Sequence, residues 1–204
     1  MYSRTTRIRG GLLAAALIVT AAPAVAQLGQ SDSYQFLQAI RDSKGDEVEK
    51  LLNKPGTVII DTHDRTTGET ALHIVVKRGD DTYLRYLLAR GADPNAKDGE
   101  GNTPLILASS TGGTGMVDLL VKGGANVDLA NGRGETPLIR AVQRRDLAMV
   151  RALLAAGADP DQSDRIAGLS ARDYAHQDTR TPALAKVIDE HPKKPKRAIS
   201  GPHF

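Results

Sequence analysis

A repeat of 33 residues constrains the fold of this chain more than any other feature of its sequence. One pattern, Gly-x-Thr followed by Pro or Ala and then Leu, keeps this step at Gly68, Gly101 and Gly134, and a weaker copy follows after 34 residues at Gly168. A second pattern, Gly-Ala followed by Asp or Asn, keeps the same step at Gly91, Gly124 and Gly157. Two patterns with one period predict an array of structural repeats that stack on their neighbours.

Each repeat is predicted to contain two short helices. A Thr that can cap the first helix recurs at the 33-residue step, and Pro104 and Pro137 follow it where no backbone N–H is needed. The first helix is expected to end at Gly79 or Gly112 and, in the next copy, at Arg145. A second helix with Leu, Val and Met at helical spacing then runs to the Gly-Ala pattern, where glycine can form a left-handed C-cap. The polar stretch that follows is typical of a tight, hairpin-like turn.

The start of the first helix carries the most specific pattern. Residues 70–75 read T-A-L-H-I-V, residues 103–108 read T-P-L-I-L-A and residues 136–141 read T-P-L-I-R-A. With its period of 33, this pattern resembles T-P-L-H-x-A of the ankyrin repeat family. The resemblance implies an all-α solenoid of helix-turn-helix units with short hairpin turns. It also implies that His73 forms structural hydrogen bonds between layers.

About five repeats are expected, three clear and two degenerate caps, over residues 33–66, 67–99, 100–132, 133–166 and 167–190. Atypical outer repeats suit a stack whose end faces meet water. Inside the array, Gly112, Gly113 and Gly115 replace better helix formers near a helix-helix turn. Each glycine within a helix costs roughly 0.5–1 kcal/mol, so this turn is predicted to be the least stable point of the array.

The first 26 residues have the pattern of a secretory signal peptide. Three arginines precede an apolar run from Gly11 to Ala22, and the sequence Ala24-Val25-Ala26 provides a small-residue cleavage site. We therefore expect export by the general secretory pathway, cleavage after Ala26 and a periplasmic location. A retained membrane anchor is the alternative, although the apolar run is short for a bilayer, which takes roughly 20 residues. Residues 27–32 are expected to form a short linker.

The basic character of the chain lies at its two ends. The whole chain has 27 Lys and Arg against 24 Asp and Glu, but removal of three arginines with residues 1–26 leaves a neutral mature chain. Residues 191–204 are expected to form a disordered basic tail containing Lys193, Lys194, Lys196 and Arg197. We predict no nucleic-acid partner because the mature chain is neutral and no aromatic residues accompany these bases. Membrane contact is expected only through this tail.

No residue set with catalytic, cofactor-binding or metal-ligating spacing is evident. The chain has no cysteine, which excludes thiolate zinc sites and cysteine nucleophiles, and its five histidines show no i, i+4 pair. Ser170 lacks the closing glycine of a nucleophile elbow, and the glycines after Thr111 lack the lysine of a phosphate-binding loop. The recurrent aspartates are interpreted as turn residues. We therefore predict neither an enzyme nor a bound cofactor.

The resemblance implies protein binding through the turn tips and the concave face of the first helices. Transferred to this sequence, it indicates a mixed but predominantly basic set of partner-binding residues. The predicted set is Arg65, Lys77, Arg78, Lys97, Glu100, Arg133, Gln143, Arg144 and Arg165. Since arginine makes bidentate contacts with carboxylates, an acidic protein surface is the expected partner. The alternative is that these charges only keep the array in solution.

The leading hypothesis is a monomeric, exported, non-enzymatic interaction module that binds one or a few proteins of unknown identity. Narrower variants are an accessory to a periplasmic stress enzyme such as catalase, or an immunity-type inhibitor of a toxin. A small-ligand or haem carrier that uses His191 and His203 is a different class of function. A third class is a membrane-surface adaptor held by the basic tail.

Overall fold

A computed structural model describes residues 31–111 and 113–191 of the 204-residue chain. These residues form ten α-helices in five antiparallel pairs, with no β-strand longer than a single bridge between Ser163 and Ser170. The helices are α1 (Asp32–Arg41), α2 (Gly45–Leu52), α3 (Ala71–Arg78), α4 (Asp81–Ala89), α5 (Pro104–Thr111), α6 (Thr114–Lys122), α7 (Pro137–Gln143), α8 (Leu147–Ala155), α9 (Ala171–Gln177) and α10 (Pro182–Asp189). The predicted all-α repeat fold is confirmed.

The helices stack in two layers. The odd-numbered helices form one continuous row from α1 to α9, which we call the first-helix layer, and α4, α6, α8 and α10 stack beside it. Leucines at the 33-residue step fill the interior of both layers and are essentially inaccessible to water. In the first-helix layer these are Leu72, Leu105 and Leu138, and in the other layer they are Leu87, Leu120 and Leu153. The period of the sequence therefore corresponds to one layer of the hydrophobic core.

Short side chains set the start of each first helix, as predicted. The hydroxyl of Thr103 accepts a hydrogen bond from the N–H of Ile106 at 3.3 Å, and the hydroxyl of Thr136 accepts one from Ile139 at 3.2 Å. At the other end of α3, Gly79 adopts the left-handed conformation with φ of 74°. Arg145 takes the corresponding place after α7 with φ of 57°, which is unfavourable for a residue with a Cβ.

The structure corrects two predicted boundaries. Helix α1 begins at Asp32, inside the predicted linker, because the hydroxyl of Ser31 caps it by accepting from the N–H of Tyr34. His191 was assigned to the disordered tail, but its carbonyl accepts a hydrogen bond from Arg172 at 3.1 Å and its ring contacts the Val187 carbonyl. Arg172 lies in α9, so this hydrogen bond joins the residue that follows α10 to the other helix of the last repeat.

The remaining terminal predictions fall outside the described residues. These are the signal peptide at 1–26, residues 27–30 of the linker, and the basic tail from residue 192 onward, with His203. Within residues 31–111 and 113–191, no helix is long and apolar enough to cross a membrane.

Candidate protein-binding surface

Four turns between consecutive helix pairs project from one edge of the first-helix layer. We call them tip 1 (residues 64–69), tip 2 (98–102), tip 3 (131–135) and tip 4 (164–169). In tip 2, one carboxylate oxygen of Asp98 accepts from the N–H groups of Glu100 at 2.9 Å and Asn102 at 2.8 Å. Asp64, Asn131 and Asp164 hold their own tips in the same way. The interpretation of Asp98 and Asp164 as turn residues is confirmed, since hydrogen bonds of this kind stabilise tight turns.

Backbone hydrogen bonds join each tip to the next. The Thr67 carbonyl accepts from the Gly99 N–H at 2.9 Å, and the Arg133 carbonyl accepts from the Arg165 N–H at 2.8 Å. A third bond of this type, between tips 2 and 3, depends on Gly101, whose φ is +80°. A Cβ at Gly101 would lie 2.7 Å from the backbone nitrogen of Gly132, so only glycine fits there. The four tips consequently form one ordered row.

A chain of buried polar side chains runs beneath the tip row. The Thr70 N–H donates to Nδ1 of His73 at 3.1 Å, so the ring donates its Nε2–H to the Asn102 carbonyl, 2.9 Å away. The Asn102 side chain in turn accepts from Nδ2 of Asn131 at 3.1 Å, and that amide also donates to Glu135 at 2.9 Å. Burial lowers the pKa of His73, which favours the neutral ring. The structural role predicted for His73 is confirmed.

A groove of about 390 Å³ lies between the tip row and the first-helix layer. Its walls combine two acidic residues, two basic residues, two amides, one hydroxyl and one aliphatic side chain. They comprise Glu100, Asn102, Asn131, Arg133 and Glu135 from the tips, with Leu107, Ser110 and Arg140 from α5 and α7. Within the described residues, the Arg140 guanidinium makes only long contacts, at 3.4 Å to Ser110, 3.4 Å to Gln143 and 3.6 Å to Glu135. Its donors are therefore still available to a ligand.

Comparisons with known proteins agree with this architecture. A family model described as "Ankyrin repeats (3 copies)" matches residues 84–164, and one described as "Ankyrin repeats (many copies)" matches residues 59–108. The chain belongs to the ankyrin repeat family. An ankyrin repeat protein of Acanthamoeba polyphaga mimivirus is 34% identical over 96 residues, which cover 45% of this chain and 13% of the viral protein. Ankyrin repeats imply a protein-protein interaction module.

Three of the predicted partner-binding residues of this ankyrin array are engaged within the chain. Lys77 forms an ion pair with Glu69. Arg78 is predicted to bind a partner, but its guanidinium donates to the Ile40 carbonyl at 2.6 Å and to Asp80 at 2.8 Å. Arg78 thus joins α3 to α1, and its side chain is only 28% exposed. Lys97 donates to the Ala130 carbonyl at 2.8 Å and so joins two neighbouring repeats.

The other predicted residues remain accessible. The side chains of Glu100 and Gln143 each accept one hydrogen bond, from Asn102 at 3.2 Å and from Arg140 at 3.4 Å. Four arginines are exposed, and within the described part of the chain their side chains make no hydrogen bond or ion pair. These are Arg65, Arg133, Arg144 and Arg165. Glu100 and Arg133 line the same groove, whereas Arg65 and Arg165 belong to tips 1 and 4.

The sequence analysis missed three residues of this surface. Leu107 and Arg140 occupy the variable position of the T-P-L-H-x-A pattern, and their 33-residue spacing could have placed them on the groove wall. Ile166 lies in tip 4 with 78% of its surface exposed, and nothing in the repeat pattern singles it out. Among the described residues, no group of three or more His, Asp or Glu side chains is arranged to hold a metal ion.

Proposed function

We propose that this ankyrin repeat protein is an exported, monomeric, non-enzymatic module that binds another protein through its tip row and groove. The observation that carries the proposal is the groove between α5, α7 and tips 2 and 3, in which Arg133 and Arg140 present guanidinium groups beside Leu107. Interfaces of this kind combine arginine and apolar contacts at their centre with a polar rim.

An acidic partner suits this surface best. Some exposed side chains of the predicted partner-binding residues make no hydrogen bond or ion pair within the described residues. All of them are arginines. Glu69 and Glu135 are largely buried at the base of the first helices, where they face Lys77 and Arg140. A carboxylate brought to an unengaged guanidinium gains charge-assisted hydrogen bonds without breaking an existing ion pair.

The sequence of residues 1–26 supports export. A basic segment, an apolar run and the Ala24-Val25-Ala26 site have the order required for recognition and cleavage of a signal peptide. We propose that the mature chain begins at Gln27 and acts in the periplasm. N-terminal sequencing of the protein from the periplasmic fraction should begin at Gln27, whereas an intact N-terminus in the membrane fraction would contradict the proposal.

Crosslinking capture from the native periplasm tests the binding proposal. The bait is the mature chain, compared with a variant in which Arg133 and Arg140 are both changed to Glu. The matched control carries Arg85→Glu and Arg151→Glu, which change the charge equally on exposed positions of α4 and α8. A protein captured by the wild type and the control but not by the groove variant supports the proposal. Equal capture by all three baits, or none, contradicts it.

A further inference from the structure

We propose that tip 4 together with Arg133 is the anchor of this binding surface, and that it docks an acidic segment carrying apolar side chains. The proposal rests on the proposed function and specifies the part of the surface and the chemistry of the partner. It depends on an exposed isoleucine, a rigid turn and two neighbouring arginines.

Ile166 is exposed although its backbone is firmly held. Oδ1 of Asp164 accepts hydrogen bonds from the N–H groups of Ile166 at 3.0 Å, Ala167 at 2.7 Å and Gly168 at 3.1 Å. Oδ2 of the same carboxylate accepts from the Tyr174 hydroxyl at 2.6 Å, which fixes tip 4 to α9. An apolar side chain on an ordered turn loses little conformational entropy when it binds, which favours it as an anchor.

One arginine adjoins this isoleucine in sequence, and a second is linked to the same turn through a backbone hydrogen bond. Arg165 precedes Ile166, and its N–H donates to the Arg133 carbonyl at 2.8 Å, so tips 3 and 4 are joined at this point. Both guanidinium groups are without a hydrogen-bond partner in the described parts of the chain. An exposed isoleucine next to two unpaired arginines suits a segment in which apolar residues alternate with Asp or Glu, since arginine is enriched among the residues that dominate binding energy.

The opposite end of the tip row lacks this combination. The basic residues of the first helix there are bound within the chain, Lys77 to Glu69 and Arg78 to the Ile40 carbonyl. In tip 1 the residues after Arg65 are Thr66 and Thr67, so no apolar side chain accompanies the arginine. Charge and exposed apolar surface therefore coincide at tip 4, and the anchor is assigned to that end.

A display library of random linear peptides, selected on the mature chain, tests this assignment. Enriched peptides should contain Asp or Glu beside large apolar residues. Their affinity should fall by more than about tenfold in the Ile166→Asp and Arg165→Glu variants. Val58→Asp is the matched control, because Val58 is another exposed apolar residue, located in the loop after α2. Arg85→Glu controls for the change in charge. Both controls should bind within about twofold of the wild type, and circular dichroism should be equal throughout.

The possible results separate the anchor from the wider proposal. Acidic peptides that bind equally to the wild type and to Ile166→Asp but are lost in the Arg133 and Arg140 variant would overturn the anchor and leave the groove as the binding site. Enrichment of basic peptides, or of none, would also overturn the anchor. Failure of the crosslinking capture with every bait would instead overturn the proposed function.

Discussion

Single residues at equivalent places of the repeats have diverged in their roles. His73 is the histidine of the T-P-L-H-x-A pattern, and its ring connects Thr70 with the carbonyl of Asn102 in the next repeat. The later repeats carry Ile106 and Ile139 at that place, and both are buried. The array therefore has a single histidine bridge within the described residues, between the second and third helix pairs.

The buried histidine should make stability depend on pH. The folded pKa of His73 lies below its ordinary value of 6.5, because burial disfavours the charged ring. The stability that the neutral ring contributes is therefore fully present above about pH 6.5, and it decreases as the pH falls toward the folded pKa. Urea unfolding should show a decrease in the free energy of unfolding as the pH falls below about 6.5. The His73→Gln variant should be less stable than the wild type at pH 8. Its free energy of unfolding should decrease less than that of the wild type as the pH falls. An equal decrease in both proteins would contradict the assignment.

Arg145 is a second residue whose conformation predicts a measurable effect. Its φ of 57° is the left-handed conformation that Gly79 adopts after α3, and Nε of Arg145 also donates to Asp178 at 2.7 Å. A glycine at position 145 relieves the steric cost of the left-handed conformation, whereas an alanine retains it. Both substitutions remove the ion pair with Asp178. Arg145→Gly should therefore be more stable than Arg145→Ala by about 1 kcal/mol in urea unfolding. An alanine variant at least as stable as the glycine variant would refute this explanation.

At the scale of helices, capping distinguishes α6 from its neighbours. The carboxylates of Asp80 and Asp146 cap α4 and α8 by accepting from the N–H of Tyr83 at 2.9 Å and Met149 at 3.0 Å. Gly113 occupies the same place before α6 and provides no side-chain cap. This absence gives a physical basis for the prediction that the glycine-rich turn is the least stable point of the array.

Installing the missing cap should stabilise the array. Gly113 has φ of −80° and ψ of 71°, close to the −86° and 89° of Asp146, and an added Cβ would meet Met116 no closer than 3.4 Å. Gly113→Asp should raise the free energy of unfolding by about 0.5–1 kcal/mol. The reciprocal Asp146→Gly should lower it. Thermal and urea unfolding of both variants measure the effect, and a loss of stability in Gly113→Asp would show that the glycine is required for packing.

At the scale of the whole array, one buried arginine stabilises the last helix pair, α9 and α10. The guanidinium of Arg172 donates to Asp161 at 2.7 Å, to Asp189 at 3.0 Å and to the Ile188 carbonyl at 3.0 Å. Hydrogen bonds from these carboxylates raise the pKa of Arg172, first of all the bond to Asp161. Because a terminal repeat has only one neighbour, this cluster replaces part of the missing contact.

Removal of the cluster should loosen the end of the array. Arg172→Met keeps most of the volume of the side chain, which is 11% exposed, but removes the donor to the Asp161 carboxylate and to the Ile188 carbonyl. Amide hydrogen exchange in α9 and α10 should accelerate by more than about tenfold, the equivalent of roughly 1.4 kcal/mol, while α5 to α7 change little. Arg180→Met, at an exposed position, is the control. Uniform acceleration across all helices would indicate global rather than terminal opening.

The repeat pattern predicted the fold well because helix caps, tips and core leucines are local signals. Thr103, Thr136 and Asp98 act within a few residues of their own positions, so the sequence is sufficient to assign them. The contacts of Arg78 and Lys97 were not predicted, since their partners lie 38 and 33 residues away in neighbouring repeats. The groove depends on such contacts between repeats, and its composition required the structure.

Site-specific photocrosslinking in native cells tests the central claim most directly. A photoreactive amino acid placed at Arg133 or Ile166 lies on the proposed surface, and one placed at Arg85 or Arg151 lies on exposed positions of α4 and α8. We predict one crosslinked protein of acidic surface charge from the first two positions and none from the other two. The same crosslinked protein from all four positions, or only from α4 and α8, would contradict a binding surface formed by the groove and the tips.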